Sequence, residues 1–245
     1  MDAYQQIIAT IALMMGTAWA SGINLYATIA MLGILGSSGN IVLPQQLVIL
    51  QDPLIIGAAS IMYCVEFFAD KTPGVDTGWD VLHSFIRIPA GVMLAAGAVG
   101  EVTPALVIAA GILGGTVSAT SHVIKAGSRV LINTSPEPFS NWVASFSEDL
   151  AVIGGLWLAL HSPLLFLGLF LLFIVLAIWL IPRIWAGIRT VLRKLSSLFR
   201  QGERQERAPG PVPDNPASAP CPAGQNQREH NTCAPPPPPL NLPGP

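Results

Sequence analysis

Three ionisable residues stand at helical spacing inside an apolar stretch of the sequence. His122, Lys125 and Arg129 are three and four residues apart, so they share one face of a helix. An ionisable side chain at the centre of a membrane costs at least about 2.5–3.5 kcal/mol. The face carries two fixed positive charges and one group, His122, that titrates near neutral pH. These residues therefore need partners, water or a ligand.

Acidic residues from other stretches are the expected partners of this basic face. Glu66 lies in one further apolar stretch, and Glu148 and Asp149 lie in another. Three interpretations remain open. The charges form a compact paired core, or they line a hydrated pathway that His122 couples to protons. In the third, they form a pocket for an anionic headgroup or solute.

No catalytic motif accompanies these residues. The sequence contains no HExxH, no GxSxG and no Walker-type phosphate loop. His83, His122 and His161 are not spaced as metal ligands on one helix. The sequence therefore predicts no enzyme activity, no metal and no other cofactor.

The composition indicates which elements position these side chains. The chain has 245 residues, of which 51% are hydrophobic and 11% charged, and its mean hydropathy is +0.56. A soluble domain carries about a quarter charged residues. The net charge of −2 argues against a nucleic-acid binder, which needs a concentrated basic face. The sequence predicts an all-α integral membrane protein.

About six transmembrane helices are expected, because a span needs about 20 mostly apolar residues. The first and fourth apolar stretches are long and carry small and polar residues at their centres. They are either broken helices or continuous, closely packed ones. The stretches are 7–35, 54–69, 88–99, 105–132, 142–160 and 164–181.

The first and fourth stretches share a pattern of small residues. Residues 16–18 match 114–116, and residues 21–24 match 119–122. Because each stretch opens a group of three spans, the match predicts two inverted three-helix repeats. Transporters often use such repeats, with the site on discontinuous helices near the midplane. The repeats are 7–99 and 104–185.

The same match places Asn24 at the position of His122. Hydrocarbon penalises both polar groups, so we expect both to face the interface between the repeats. Tyr26, two residues after Asn24, is also a candidate for this interface. The candidate substrate-binding or pathway residues are Asn24, Tyr26, Glu66, His122, Lys125, Arg129, Glu148 and Asp149.

The basic residues predict the orientation. The segments 36–53, 100–103 and 161–163 contain no Lys or Arg. If the N-terminus is cytoplasmic, every basic residue before the tail falls on the cytoplasmic side, as the positive-inside rule requires. We therefore expect a cell-membrane protein with both termini cytoplasmic. Asp70 and Lys71, near the cytoplasmic face, are expected to be structural.

The chain is expected to divide into a transmembrane domain, 1–200, and a disordered Pro-rich cytoplasmic tail, 201–245. Residues 77–87 are amphipathic and form either an interfacial helix or an extension of the third span. Residues 185–199 are expected to form an amphipathic helix on the membrane surface, held partly by anionic lipid.

Three motifs are distinctive: ASGINLY at 20–26, EFFADKTPGVD at 66–76 and SPEPFSNW at 135–142. Together they resemble the uncharacterised membrane-protein family called domain of unknown function 4126. The resemblance covers about residues 7–163. It implies a membrane protein and supplies no activity, substrate or site residue.

Two functions are compatible with these patterns. The first is a small transporter or channel for a small solute, ion or lipid. The alternative is a non-transporting scaffold that acts through its cytoplasmic loops and tail. A common water-accessible cavity lined by the candidate residues distinguishes the two. The candidate partners are the lipid bilayer, a small solute or ion, a proline-binding protein for the tail, and a second copy of the chain.

Overall fold

Seven α-helices and one 3-10 helix make up the part of the chain that the computed structural model describes, residues 3–72, 74–134 and 138–206. No β-strand occurs in these ranges, so the predicted all-helical architecture is confirmed. Most of the predicted tail, 207–245, lies outside them. The helices are α1 Ala3–Ile23, α2 Leu25–Ser37, the 3-10 helix Gln45–Gln51, α3 Pro53–Ala69, α4 Val75–Ala98, α5 Pro104–Ile132, α6 Pro138–His161 and α7 Pro163–Glu206.

Local sequence determines where several helices begin. Asp52 caps α3 by accepting a hydrogen bond from the backbone N–H of Leu54 at 2.8 Å, and Pro53 occupies the first turn. Gly74, before α4, and Gly100, after it, have φ of +86° and +71°. Glycine adopts this left-handed backbone conformation without a steric penalty, which explains why glycine occupies both turns.

The first apolar stretch is a broken helix. Asn24 separates α1 from α2 and has extended backbone angles, φ −144° and ψ 96°. Its side-chain oxygen accepts a hydrogen bond from the N–H of Ala27 at 2.9 Å, which caps α2. The fourth stretch differs, because α5 continues without a break for 29 residues.

α1 and α5 pack side by side in the same direction. Ala18 lies beside Gly114, and one turn further along both helices Gly22 lies beside Ser118 and Ser121. An inverted repeat would place these two opening helices antiparallel. The structure therefore gives no support to the predicted inverted repeats. The matching small residues are explained by the close approach of the two helices.

The start of α1 lies at the same end of the helices as three connections. Residues from 3 to 14 line one open cavity of about 1540 Å³ together with residues from 40–44, 98–102 and 159–165. We call this end of the helices the far end. α1 runs from the far end to Asn24, and α2 returns towards it.

Among the described residues, five helices are long and apolar enough to cross a membrane: α1, α4, α5, α6 and the part of α7 from Pro163 to Arg193. A sixth span results if the 3-10 helix and α3, bent by 68° relative to each other, are counted as one. α2 is a shorter apolar helix of 13 residues. Residues 77–87 extend the third apolar stretch within α4, and residues 185–199 are part of α7.

Candidate functional site

Charged side chains from four helices meet at the end opposite to the far end. Six of them occur in three pairs spaced four or seven residues apart, so each pair shares one helical face, and the seventh, Glu148, comes alone from α6. Their side chains are at most 4% exposed, except for one at 19%. The term "charge network" is used below for Glu66, Asp70, Asp80, Arg87, Lys125, Arg129 and Glu148.

Lys125 lies at the centre of the charge network. Its Nζ donates to Asp70 Oδ2 at 2.6 Å and to Glu66 Oε1 at 3.2 Å. Two further carboxylate oxygens lie close, Glu148 Oε2 at 3.6 Å and Asp80 Oδ1 at 3.8 Å. One buried ammonium thus has four carboxylates around it.

The helix break supplies a fifth oxygen. In a continuous helix the N–H of Ala27 would donate to the carbonyl of Ile23. Here that N–H donates to the Asn24 side chain instead, so the Ile23 carbonyl has no partner within the helix. Lys125 Nζ donates to it at 3.1 Å. The break and the charge network are therefore joined directly.

Two arginines complete the pairing. Arg87 donates to Glu66 through Nη2 and to Asp80 Oδ1 through Nη1, the latter at 2.9 Å. Arg129 donates to Glu148 Oε2 at 2.8 Å and to the backbone carbonyl of Asp70 at 3.2 Å. Every cation of the charge network is thus paired with at least one carboxylate.

His122 contacts the charge network as a neutral ring. Arg87 Nη1 lies 3.3 Å from His122 Nδ1, and because a guanidinium only donates, Nδ1 must accept. The ring proton is then on Nε2, which donates to Ser84 Oγ at 2.6 Å. Ser84 in turn donates to the carbonyl of Asp80 at 2.9 Å. A proton added at Nδ1 would break the contact with Arg87.

Three of the predicted residues, Asn24, Asp149 and Tyr26, lie beside the charge network rather than in it. Asn24 Nδ2 donates to Asp149 Oδ1 at 3.1 Å. The hydroxyl of Tyr26 lies 3.1 Å from His83 Nε2. His83 Nδ1 donates to the carbonyl of Trp79 at 2.9 Å, and in that tautomer Nε2 accepts from the Tyr26 hydroxyl.

The structure brings together four of the eight predicted candidates: Glu66, Lys125, Arg129 and Glu148. Sequence reasoning missed three members of the charge network, which are Asp70, Asp80 and Arg87. The amphipathic pattern of residues 77–87 left open whether Arg87 lies on an interfacial helix or on an extension of the third span, and neither alternative predicted its burial. Arg87 lies seven residues after Asp80, which puts both on one helical face. That spacing is the sequence signal that could have predicted their pairing.

Three carboxylates of the charge network are only half satisfied. All ion pairs of Glu66 use Oε1, while Glu66 Oε2 is buried without a hydrogen-bond partner among the described residues. The same holds for Asp70 Oδ1 and Asp80 Oδ2. With every group ionised, the four carboxylates exceed the three cations by one negative charge. Each unpaired buried oxygen costs free energy unless a hydrogen-bond donor or a cation reaches it.

A second polar cluster joins the connections at this end. Asp76 is fully buried and accepts hydrogen bonds from Asn133 Nδ2 at 2.8 Å and from Asn141 Nδ2 at 3.4 Å. It also accepts from the backbone N–H groups of Gly74 and Thr77. These bonds hold the start of α4 against the connection between α5 and α6, next to the charge network.

Lys71 has a different environment from Lys125. Its Nζ donates to Ser145 Oγ at 3.2 Å and to the carbonyl of Phe67 at 3.3 Å, and it lies 2.9 Å from the centre of the Phe67 ring. Burial lowers the pKa of the Lys71 ammonium, an effect that Asp149 and Asp70 partly oppose. Lys71 forms no ion pair with a carboxylate that the structure describes.

A family match covers most of this architecture. Residues 11–183 match the family described as Domain of unknown function (DUF4126). The chain belongs to this family. The resemblance carried by the three sequence motifs is thereby confirmed, and the range matched to DUF4126 contains the whole charge network. No curated protein and no solved structure matches the chain.

Proposed function

We propose that this DUF4126 protein is a multi-pass protein of the cell membrane that moves a small, positively charged solute, with the charge network as its closed centre. One observation carries the proposal. Buried carboxylates outnumber the cations around them, and they lie against the freed carbonyl of a broken helix. The family supplies no activity, so the proposal depends on this geometry.

The outer surface supports membrane insertion. Large apolar side chains are exposed on several helices, among them Phe68 on α3, Phe85 on α4 and Leu171 on α7, at 65–81%. In the most apolar part of α7 only 11% of residues are buried within the protein. Soluble monomers rarely expose apolar patches of this size, so lipid is the cover that fits them.

The positions of the helix ends favour a revised orientation. The charge network lies at one end with the basic residues, and the start of α1 lies at the far end. By the positive-inside rule the basic end is cytoplasmic. We therefore place the start of α1 outside and Arg183 of α7 inside. This differs from the expectation of two cytoplasmic termini, because the break at Asn24 turns the chain back.

The broken helix favours a transport role. In transporters the carbonyls that such a break leaves free coordinate cations. A site for an anion is disfavoured, because the cations Arg87, Lys125 and Arg129 already face carboxylates. The excess negative charge selects a cationic solute.

The path to the far end is closed in this conformation. The open cavity extends along the helices to Met14 and Leu113. Between it and the charge network, Ser21, Gly91 and Ser118 are in contact where α1, α4 and α5 meet. Transport would require these helices to separate at this layer of small residues.

Uptake of radiolabelled solutes into proteoliposomes tests the proposal. Wild-type protein is expected to take up at least one small cation faster than protein-free liposomes, and Asp80→Asn is expected to lose that uptake. Asp52→Asn is the matched control, because asparagine still caps α3 and the site is exposed and distant. Uptake of anions alone, or equal uptake by all variants, would contradict the proposal.

The alternative, a scaffold that does not transport, is favoured by one observation. Neither the far-end cavity nor the pocket lined by Trp19 and Phe170 includes a member of the charge network. In a scaffold the paired charges would serve only to hold the helices together. Asp80→Asn would then reduce thermal stability, and no variant or wild-type protein would move a solute.

A further inference from the structure

We infer that the oxygens around Lys125 form a binding site for an ammonium-type cation, either ammonium itself or a primary amine, and that the Lys125 side chain is its built-in occupant. The inference deepens the proposed function, because it rests on that function to name the class of solute. Binding at the site and transport through it are measured separately below.

The geometry matches the donors of an –NH₃⁺ group. An ammonium bound to carbon has three N–H donors. Three oxygens lie within hydrogen-bond distance of Lys125 Nζ: Asp70 Oδ2 at 2.6 Å, Ile23 O at 3.1 Å and Glu66 Oε1 at 3.2 Å. Two are carboxylates and one is the carbonyl freed by the helix break. The set is complete for one small ammonium group and has no place for a quaternary amine.

Lys125 uses only one oxygen of each carboxylate that it binds most closely. Glu66 Oε2 and Asp70 Oδ1 belong to the two carboxylates that bind Lys125 most closely, and both are buried without a partner among the described residues. Their side chains are 0% and 4% exposed. With every group ionised the charge network has one negative charge in excess, which favours a cationic over an anionic occupant.

The chemistry favours ammonium over a divalent metal. In the described part of the chain, no three His, Cys, Asp or Glu side chains are placed to hold a metal ion. An entering amine would compete with Lys125 for the same oxygens. Lys125 can withdraw because its ammonium is carried on a flexible four-carbon stem.

Chemical rescue tests the site. Lys125→Ala leaves the oxygens without their ammonium and is expected to unfold at a lower temperature than the wild type in detergent. Ammonium or methylammonium chloride should raise the unfolding temperature of this variant by at least about 2–4 °C relative to tetramethylammonium chloride at the same ionic strength. Tetramethylammonium has the charge but no N–H donor. Equal effects of all the salts, or no effect of any, would overturn the inference.

Lys71→Ala is the matched control. It also removes a mostly buried ammonium at the same end, but this one contacts a hydroxyl and a backbone carbonyl rather than carboxylates. We expect no rescue by methylammonium there, and equal rescue of both variants would count against a specific site. If Lys125→Ala does not fold, Lys125→Met keeps the apolar stem and is tested with ammonium.

The two proposals fail in different ways. Rescue of Lys125→Ala without cation uptake by wild-type proteoliposomes would establish the site and reject transport. Cation uptake without rescue would support transport and overturn the ammonium site.

Discussion

Lys125 Nζ lies 3.1 Å from the carbonyl oxygen of Ile23, the last residue of α1. This contact joins the only break in the first apolar stretch to the centre of the charge network. It exists because Asn24 takes the N–H that would otherwise satisfy Ile23. Changes at the break should therefore affect the charge network, and the predictions below follow from that relationship.

Asn24→Ala should reduce stability because it removes the cap of α2 and the donor to Asp149. Loss of an N-cap alone costs about 0.5–2 kcal/mol. Asn24→Ser keeps a capping oxygen and is expected to lose less. Thermal unfolding of both variants in detergent measures the difference. Equal stability of Asn24→Ala and wild type would show that the break does not need its cap.

Gly22→Ala should destabilise the contact between α1 and α5. A Cβ at Gly22 would overlap the Ser121 hydroxyl and the backbone carbonyl of Ser118. Overpacking of this kind costs about 1–3 kcal/mol. Gly57→Ala in α3 is the control, because nothing lies within 4 Å of its Cβ position. That variant should be neutral or slightly more stable. The prediction is wrong if both variants unfold at the same temperature.

His122→Ala should lower stability by about 1–3 kcal/mol, since Arg87 loses an acceptor and Ser84 a donor in a buried setting. His161→Ala is the control, because that ring is exposed at the far end. Surface changes of this kind usually stay within about 0.5 kcal/mol. Chemical unfolding monitored by tryptophan fluorescence compares the two. An equal effect would remove any special role for His122 in holding Arg87.

The revised orientation predicts that the start of α1 and the connection after α3 lie on opposite sides of the membrane. A cysteine at Tyr4 should react with an impermeant maleimide from outside, and a cysteine at Thr72 only after permeabilisation. A cysteine at Glu101, which lines the far-end cavity, should behave like the one at Tyr4. The native cysteines are replaced first. Labelling of positions 4 and 72 only after permeabilisation would restore the topology with both termini cytoplasmic, and labelling of both from outside would contradict either topology.

Much of the architecture could be predicted from the sequence, because apolar stretches and helical spacing are local properties. The spacing of Lys125 and Arg129 predicted their shared face, and Glu66 and Glu148 were predicted as partners. The direction of α2 could not be predicted, because small and polar residues mark a break without fixing the angle that follows it. The proposed repeats arose from the same ambiguity.

Arg87 and Asp70 show a second limit of the sequence. Both lie near the ends of apolar stretches, where a charged side chain ordinarily reaches the headgroup zone. Whether such a residue turns inwards depends on the helices around it. Here α3, α4 and α5 supply mutual partners, so Arg87 is fully buried. Sequence spacing alone does not contain that tertiary information.

The central claim is that the charge network moves a small cation, and charge movement across proteoliposomes on a solid-supported membrane tests it most directly. Neutral amine that diffuses through the lipid carries no charge, so it does not contribute to the electrical signal. Tetramethylammonium chloride is exchanged for sodium, potassium or methylammonium chloride at equal concentration. Wild-type protein should give an inward current with at least one of these cations, and Glu66→Gln, reconstituted to the same density, should give none. A wild-type signal equal to that of empty liposomes, or an undiminished signal in Glu66→Gln, would contradict the account.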